Sequence, residues 1–384
     1  MFWKRFYIGL VLFLSVEAVF ATTLSDDAAI YLITCTPDKP LYLHYGHTAI
    51  EVKDSANDLD LIFNYGTFSF NTEHFYWNFL RGNTWYELSV QDAFDFYREY
   101  KRRKRTIFSQ ELNLTQEQKQ AFFDALIHNY HPQNRHYLYN FVFDNCATRP
   151  FNLLLLSLQA DVRSFYFPQE CTYRQLISKY SGPYSWGDWG INLIFGRDAD
   201  KIMSVQERIF LPEELMNYVA NAVLPNDKKL IKTQYIGTFP PAVVPWYQTV
   251  WVGIIAFALL VLGMTWYDYK KQKITWWFDS VCFFLFGLFG CLLVFLSYFS
   301  IHPLVTHNWN LLLYNPLLWA LVVLCLLPKG QTWIMKNAHF FVGYLIAVLA
   351  IDMIVQQGQM VVSCLFPIIH IAIRSLKWGK YAKI

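Results

Sequence analysis

The chain predicts a mixed α/β domain followed by an all-α membrane bundle of about five helices, and three observations carry that prediction. Charged residues crowd before Trp246, so the overall 54% hydrophobic content averages a polar half with a lipid-like half. Before that point, short segments rich in β-branched and aromatic residues alternate with helical patterns. After it come five apolar runs, most near the roughly 20 residues needed to cross a bilayer.

The N-terminus sets Lys4 and Arg5 before an almost wholly apolar Phe6 to Phe20, with small residues from Ala21 to Thr23. This order reads as a secretory signal over residues 1–22, with an uncleaved anchor helix as the alternative. Either one places the next domain, residues 23–236, outside the cytoplasm. Within it, Ala29–Thr34, Thr48–Val52 and Leu59–Tyr65 read as strands, with a turn over Asp54–Asp58. Gln91–Arg105, Thr115–Asn129 and Asn145–Ala160 read as helices. Thr115 is the expected cap of the second, and Pro150 falls in the first turn of the third.

Pro240, Pro241 and Pro245 stiffen a linker at 237–245, and the membrane domain occupies 246–384. Its apolar runs are Trp246–Tyr267, Trp276–Ser300, Leu311–Leu327, Phe340–Gln356 and a short Met360–Ile373. If the first domain is external, Lys270–Lys273, Lys329–Lys336 and Arg374–Lys383 are cytoplasmic, while the external loops Ile301–Asn310 and Gln356–Gln359 hold no Lys or Arg. The positive-inside rule and the signal therefore agree on topology, with the C-terminus in the cytoplasm. A net charge of +3 with no basic stripe gives no reason to expect a nucleic-acid partner.

Four of the seven cysteines lie in apolar membrane segments, leaving Cys35, Cys146 and Cys171. An odd number permits at most one disulfide, and Cys35 with Cys171 is the pair to test. Cys146 stands near the start of an apolar helix, where unpaired N–H groups favour the thiolate. A histidine beside it would serve as base and acid, and an amide would orient the ring. His47, at the start of a strand, and Asn64, on the next strand, are the candidates, with backbone N–H groups near Cys146 as the oxyanion site. The bland alternative is a packed thiol and an ordinary strand histidine. His44, His74, His128, His131 and His136 compete with His47.

Gly46-His47-Thr48-Ala49, Asn64-Tyr65-Gly66-Thr67-Phe68, Arg81-Gly82 and Asp144-Asn145-Cys146, with His302-Pro303 and Asn308-Trp309-Asn310 further on, carry a resemblance that covers most of the chain. The first domain resembles the circularly permuted branch of the NlpC/P60 papain-like superfamily, which contains the lecithin:retinol acyltransferase-like enzymes. More specifically, the chain is similar to the Lnb lipoprotein N-acyltransferase family of Bacteroidota. The resemblance implies an α+β papain-like periplasmic domain on an inner-membrane bundle. It also implies a thiol acyltransferase that moves a fatty acyl chain from a phospholipid to the α-amine of a diacylated lipoprotein, with no metal and no cofactor. In the related enzymes a second histidine usually fills the position that Asn64 holds here.

Tyr65, Asn145 and Arg149 near the cysteine, and His302, Asn308 and Asn310 in the external loop, are the candidate substrate contacts. For Arg149 a structural ion pair is the alternative to a phosphate contact. For the loop residues an ordinary solvated loop with helix caps is the alternative. Two other functions stay open: a cysteine-dependent phospholipase or cell-wall hydrolase, and a non-catalytic membrane receptor.

Overall fold

The structure is a computed structural model, and it describes residues 22–39, 43–159, 162–225 and 227–381. The expected signal segment, apart from Thr22, lies outside the described residues, as does Ala160 at the end of one expected helix. The chain forms two compact units, each discontinuous in sequence. The first comprises Met1–Phe79, Asn83–Gln169 and Met203–Pro240; the second comprises Leu80–Gly82, Glu170–Ile202 and Pro241–Ile384.

The first unit is built on strands β1 (Ala29–Cys35), β2 (His47–Asp54), β3 (Leu59–Thr67), β4 (Trp85–Asp92), β5 (Ile107–Leu112), β6 (His136–Leu138), a two-stranded pair β7 (Arg163–Ser164) and β8 (Ala222–Val223), and β9 (Ile231–Tyr235). Seven of them form one sheet in the order β6-β4-β3-β2-β1-β5-β9, and every pairing in it is antiparallel. The strands expected near residues 29, 48 and 59 are the three central ones. Both faces of their pleat are apolar, because each face is covered. Ile30, Leu32, Ile50, Val52 and Phe63 pack with Phe122, Phe123 and Leu126 of the helix Gln116–Tyr130 and with Phe151 and Leu154 of the helix Thr148–Leu158. Ile33, Cys35, Ala49 and Ile62 point the other way, onto Phe96 and Tyr100 of the helix Ala93–Arg102. Thr115 caps its helix through a complete capping box with Gln118, as expected from its position. The helix expected from Gln91 instead starts at Ala93, because β4 runs to Asp92 and the Asp92 carboxylate then caps the helix.

The second unit is helical. Val250–Lys271, Trp276–Phe299 and Ala338–Val355 are long and apolar enough to span a membrane. Leu318–Leu326 and Pro328–Lys336 meet at a 118° bend, where Pro328 cannot continue the preceding hydrogen-bond ladder; counted as one broken span they bring the total among the described residues to four. The run expected as a fifth span is divided into Met360–Ser363 and the 17-residue helix Leu365–Tyr381. That last helix carries its polar side chains inward. Arg374 donates from Nε and Nη2 to Asp279 at 2.8 Å each, and its Nη1 lies 2.9 Å from Asp268. His370 Nε2 stands 3.0 Å from Asp279. The acidic Asp279 that would be costly in an apolar run is thus paired.

The same unit contains two helices from its segment Glu170–Ile202, Tyr173–Ser181 and Trp186–Ile194. Buried Arg174 ties them together through Asp200, at 2.7 and 3.0 Å, and through the side chain and carbonyl of Asn192.

Candidate active site

Strand pairing brings the first two candidates together. The register of β2 with β3 sets Ile50 opposite Phe63, so its continuation puts Asn64 opposite Ala49, one diagonal step from His47. Side chains alternate along a strand, and both residues therefore project from the face that also carries Cys35, which pairs with His47 across β1. His47 Nε2 lies 3.1 Å from Asn64 Oδ1. A donating Nε2–H places the lone pair of the neutral ring on Nδ1.

Cys146 enters from the loop before the helix Thr148–Leu158. Asn145 holds that loop: buried, it donates to the carbonyls of Phe141 and Phe210 at 2.7 and 2.8 Å, and its Oδ1 accepts from the N–H groups of Ala147 and Thr148 at 2.8 and 3.0 Å. Its own N–H donates to Thr148 Oγ1. Asp144 and Arg149 close the turn with two parallel 2.8 Å hydrogen bonds, and the Arg149 guanidinium lies 3.9 Å from the centre of the Tyr137 ring. Cys146 then meets the start of β2, where the backbone N–H of Thr48 points at its sulfur. It also faces Gly66, whose φ of +93° accompanies the register shift of β3 against β4 between Asn64 and Thr67. A side chain at Gly66 would begin 3.5 Å from Cys146 Cβ.

The electrostatics differ from those expected of a helix start. Burial pushes the Cys146 thiol up to about 11, and the backbone N–H groups of Thr48 and of Cys146 itself only soften that rise. Burial also lowers His47 to about 4, against the hydrogen bond it donates to Asn64, with the Arg105 charge acting in the same direction as burial. Near neutral pH both groups are therefore uncharged. The two N–H groups that follow Cys146 are occupied by Asn145 Oδ1, and the N–H groups of Thr48 and of Cys146 itself are the ones that face the sulfur.

The competing histidines lie elsewhere. His44 contacts the Lys39 carbonyl, His74 pairs with Glu73, His128 and His131 face each other beside Asn134, and His136 approaches Glu87. None of the seven cysteines is in a disulfide, so the expected Cys35–Cys171 bridge is not formed. Cys35 is fully buried beside Tyr100 and Arg105, and Arg105 donates twice to the Thr36 carbonyl. These neighbours, with Tyr137 and Tyr139, were invisible to spacing arguments because β6 and the Arg105 turn have no motif of their own.

Tyr65 is buried, with its ring edge-on to Tyr137. His302, Asn308 and Asn310 belong to the second unit. There Asn308 donates to the carbonyls of Leu193 and Ile194, and Asn310 donates to Leu193 and accepts from the thiol of Cys364. Both asparagines are buried and fix the loop to the helix Trp186–Ile194. His302 packs near Gly82, and its N–H donates to Ser300 Oγ.

Residues 16–179 match the family model of the Lnb N-terminal periplasmic domain, and residues 245–383 match that of the Lnb transmembrane domain. The chain belongs to the Lnb family. No curated protein matches it, and no solved structure does. The Lnb periplasmic match contains His47, Asn64 and Cys146 and ends inside the helix Tyr173–Ser181. The Lnb transmembrane match begins one residue before Trp246, where the apolar runs begin. The molecule is therefore a membrane protein with a periplasmic domain, as Lnb proteins are.

Proposed function

We propose that this Lnb protein is a lipoprotein N-acyltransferase working at the outer leaflet of the inner membrane, with its C-terminus in the cytoplasm. The observation that carries the reading is the half-buried Cys146, in reach of the backbone N–H of Thr48, the residue that follows His47, whose own Nε2 is 3.1 Å from Asn64. That grouping has the parts of a papain-like nucleophile, in keeping with a permuted NlpC/P60 fold.

In the first half-reaction His47 Nδ1 takes the thiol proton as sulfur attacks an ester carbonyl of a phospholipid. The ester C–O bond then breaks, the proton returns to the leaving alkoxide, and a lysophospholipid departs from the thioester. In the second, the free α-amine of a diacylated lipoprotein's N-terminal cysteine attacks the thioester. His47 takes the amine proton and returns it to sulfur as the C–S bond breaks, leaving an amide and a free thiol. Both substrates are anchored in the leaflet where the membrane helices tether the enzyme, so neither has to be extracted into water. No metal or organic cofactor is needed by any step.

Asn145 and Arg149 act by holding the Cys146 turn, and Tyr65 by walling it. Asn308, Asn310 and His302 support the outer loop of the membrane unit. Intact-mass analysis after incubation with phospholipid tests the reading: a hydroxylamine-labile acyl adduct, absent from Cys146→Ser, is expected. Lipid cleavage that ignores an added diacylated lipopeptide would instead favour a hydrolase, and full function in Cys146→Ser a receptor.

A further inference from the structure

We propose that the Tyr137 hydroxyl is the side-chain donor to the oxyanion formed when Cys146 attacks an ester, an inference that rests on the acyl-transfer reading above. An oxyanion site needs preorganised donors beside the nucleophile. The two backbone N–H groups that follow Cys146 are already held by Asn145 Oδ1, at 2.8 and 3.0 Å. The Tyr137 hydroxyl is buried and has no hydrogen-bond partner among the described residues. A buried phenol without a partner forfeits its hydration for nothing in the resting protein, so the group calls for a role.

Its surroundings supply one. A β-carbon built on Gly66 would lie 3.5 Å from Cys146 Cβ and 4.0 Å from the Tyr137 oxygen. The absent side chain thus leaves a space about one carbon wide that is bordered by Cys146, by the Tyr139 ring at 3.9 Å and by the hydroxyl, and that fits a carbonyl oxygen. Burial, reinforced by the nearby sulfur, keeps this phenol protonated well past neutral pH and so able to donate.

The ring itself is held without the hydroxyl. It lies under the Arg149 guanidinium at 3.9 Å, meets Tyr65 edge-on at 6.2 Å, and sits on β6 opposite Tyr86. Tyr137→Phe therefore keeps the packing and removes only the donor. A structural residue would lose stability on this change, whereas a strained catalytic donor loses rate alone.

The test uses the full chain in lipid nanodiscs, following acyl-adduct formation on Cys146 by rapid-quench intact mass. For Tyr137→Phe the adduct is expected to form roughly 10²-fold more slowly than for wild type. The phospholipid concentration at half-maximal rate should be unchanged and Tm equal or higher. An adduct that forms equally fast on the variant overturns the assignment to Tyr137 alone. Absence of any adduct on wild type overturns the acyl-transfer reading and this role with it. As a second variant that retains the hydroxyl, 3,5-difluorotyrosine at position 137 should move the alkaline loss of acylation to lower pH, because a phenolate accepts and no longer donates; an unmoved profile overturns the proposal.

Discussion

His47 and Asn64 meet across adjacent strands, the imidazole Nε2 3.1 Å from the amide oxygen, and this single contact decides which ring nitrogen is basic. Replacing the amide removes the preference for that tautomer but leaves the ring in place. Asn64→Ala should slow acyl-adduct formation roughly 10- to 100-fold, less than the roughly 10²- to 10⁴-fold ascribed to a general base itself. Asn64→Asp should instead raise the His47 pKa and move the acid limb of the rate profile upward. An acid limb that stays put in Asn64→Asp would remove Asn64 from the pair.

The resting protonation states give a second prediction. With Cys146 at about 11 and His47 at about 4, the resting protein holds a neutral thiol and a neutral ring at pH 7. Thiolate absorbance near 240 nm, taken as wild type minus Cys146→Ser, should be flat through neutrality and rise only toward pH 11. A step below pH 7 would mean that an ion pair is already formed.

His47 also makes folding pH-dependent. Its folded pKa lies below the 6.5 of the unfolded imidazole, so between about pH 6.5 and 4 the unfolded chain binds a proton that the folded chain does not. This contribution to stability is fully present above 6.5 and is lost as pH falls through that window. Tm of wild type in nanodiscs should fall more steeply over pH 6.5 to 4 than that of His47→Gln.

Asn145 satisfies four backbone groups, so Asn145→Ala should cost about 1–3 kcal/mol from unpaired buried groups and disorder the Cys146 turn. Thermal melts report the first effect and the rate of adduct formation the second. Unchanged values of both would show that the turn is held by Asp144 and Arg149 alone.

In the membrane unit, Arg374→Leu leaves Asp268 and Asp279 buried without their cation, a change expected to cost about 3–5 kcal/mol. Adding Asp279→Leu to it should recover part of that loss, and melting of the double variant in nanodiscs measures how much. A single variant as stable as wild type would mean that solvent already reaches the pair.

Much of this was written in the one-dimensional pattern. The three central strands, the capped helix after Thr115 and the apolar runs past Trp246 follow from residue periodicity and run length. These are sums over neighbouring residues, and the chain carries them wherever it folds. The pairing of His47 with Asn64 was half legible, since strand alternation puts both on one face once the register is known.

Other properties had no local signal. A helix start argues for a thiolate at Cys146, yet the folded protein raises that pKa, because desolvation by residues far apart in sequence outweighs nearby N–H dipoles. Asn308 and Asn310 read as candidate substrate contacts or as solvated loop groups, yet they are buried against carbonyls more than a hundred residues away. The apolar run expected over Leu311–Leu327 ends where its composition says, yet its helix begins only at Leu318, after a tight turn over Trp309–Leu312. The sequence by itself determined which segments seek lipid and which alternate into a sheet, because burial by type needs only the order of residues. The tertiary structure alone decided which histidine meets the amide, which donors remain for the sulfur and where the charges rest, because each depends on distances and solvent exclusion that the chain acquires only when its distant parts close together.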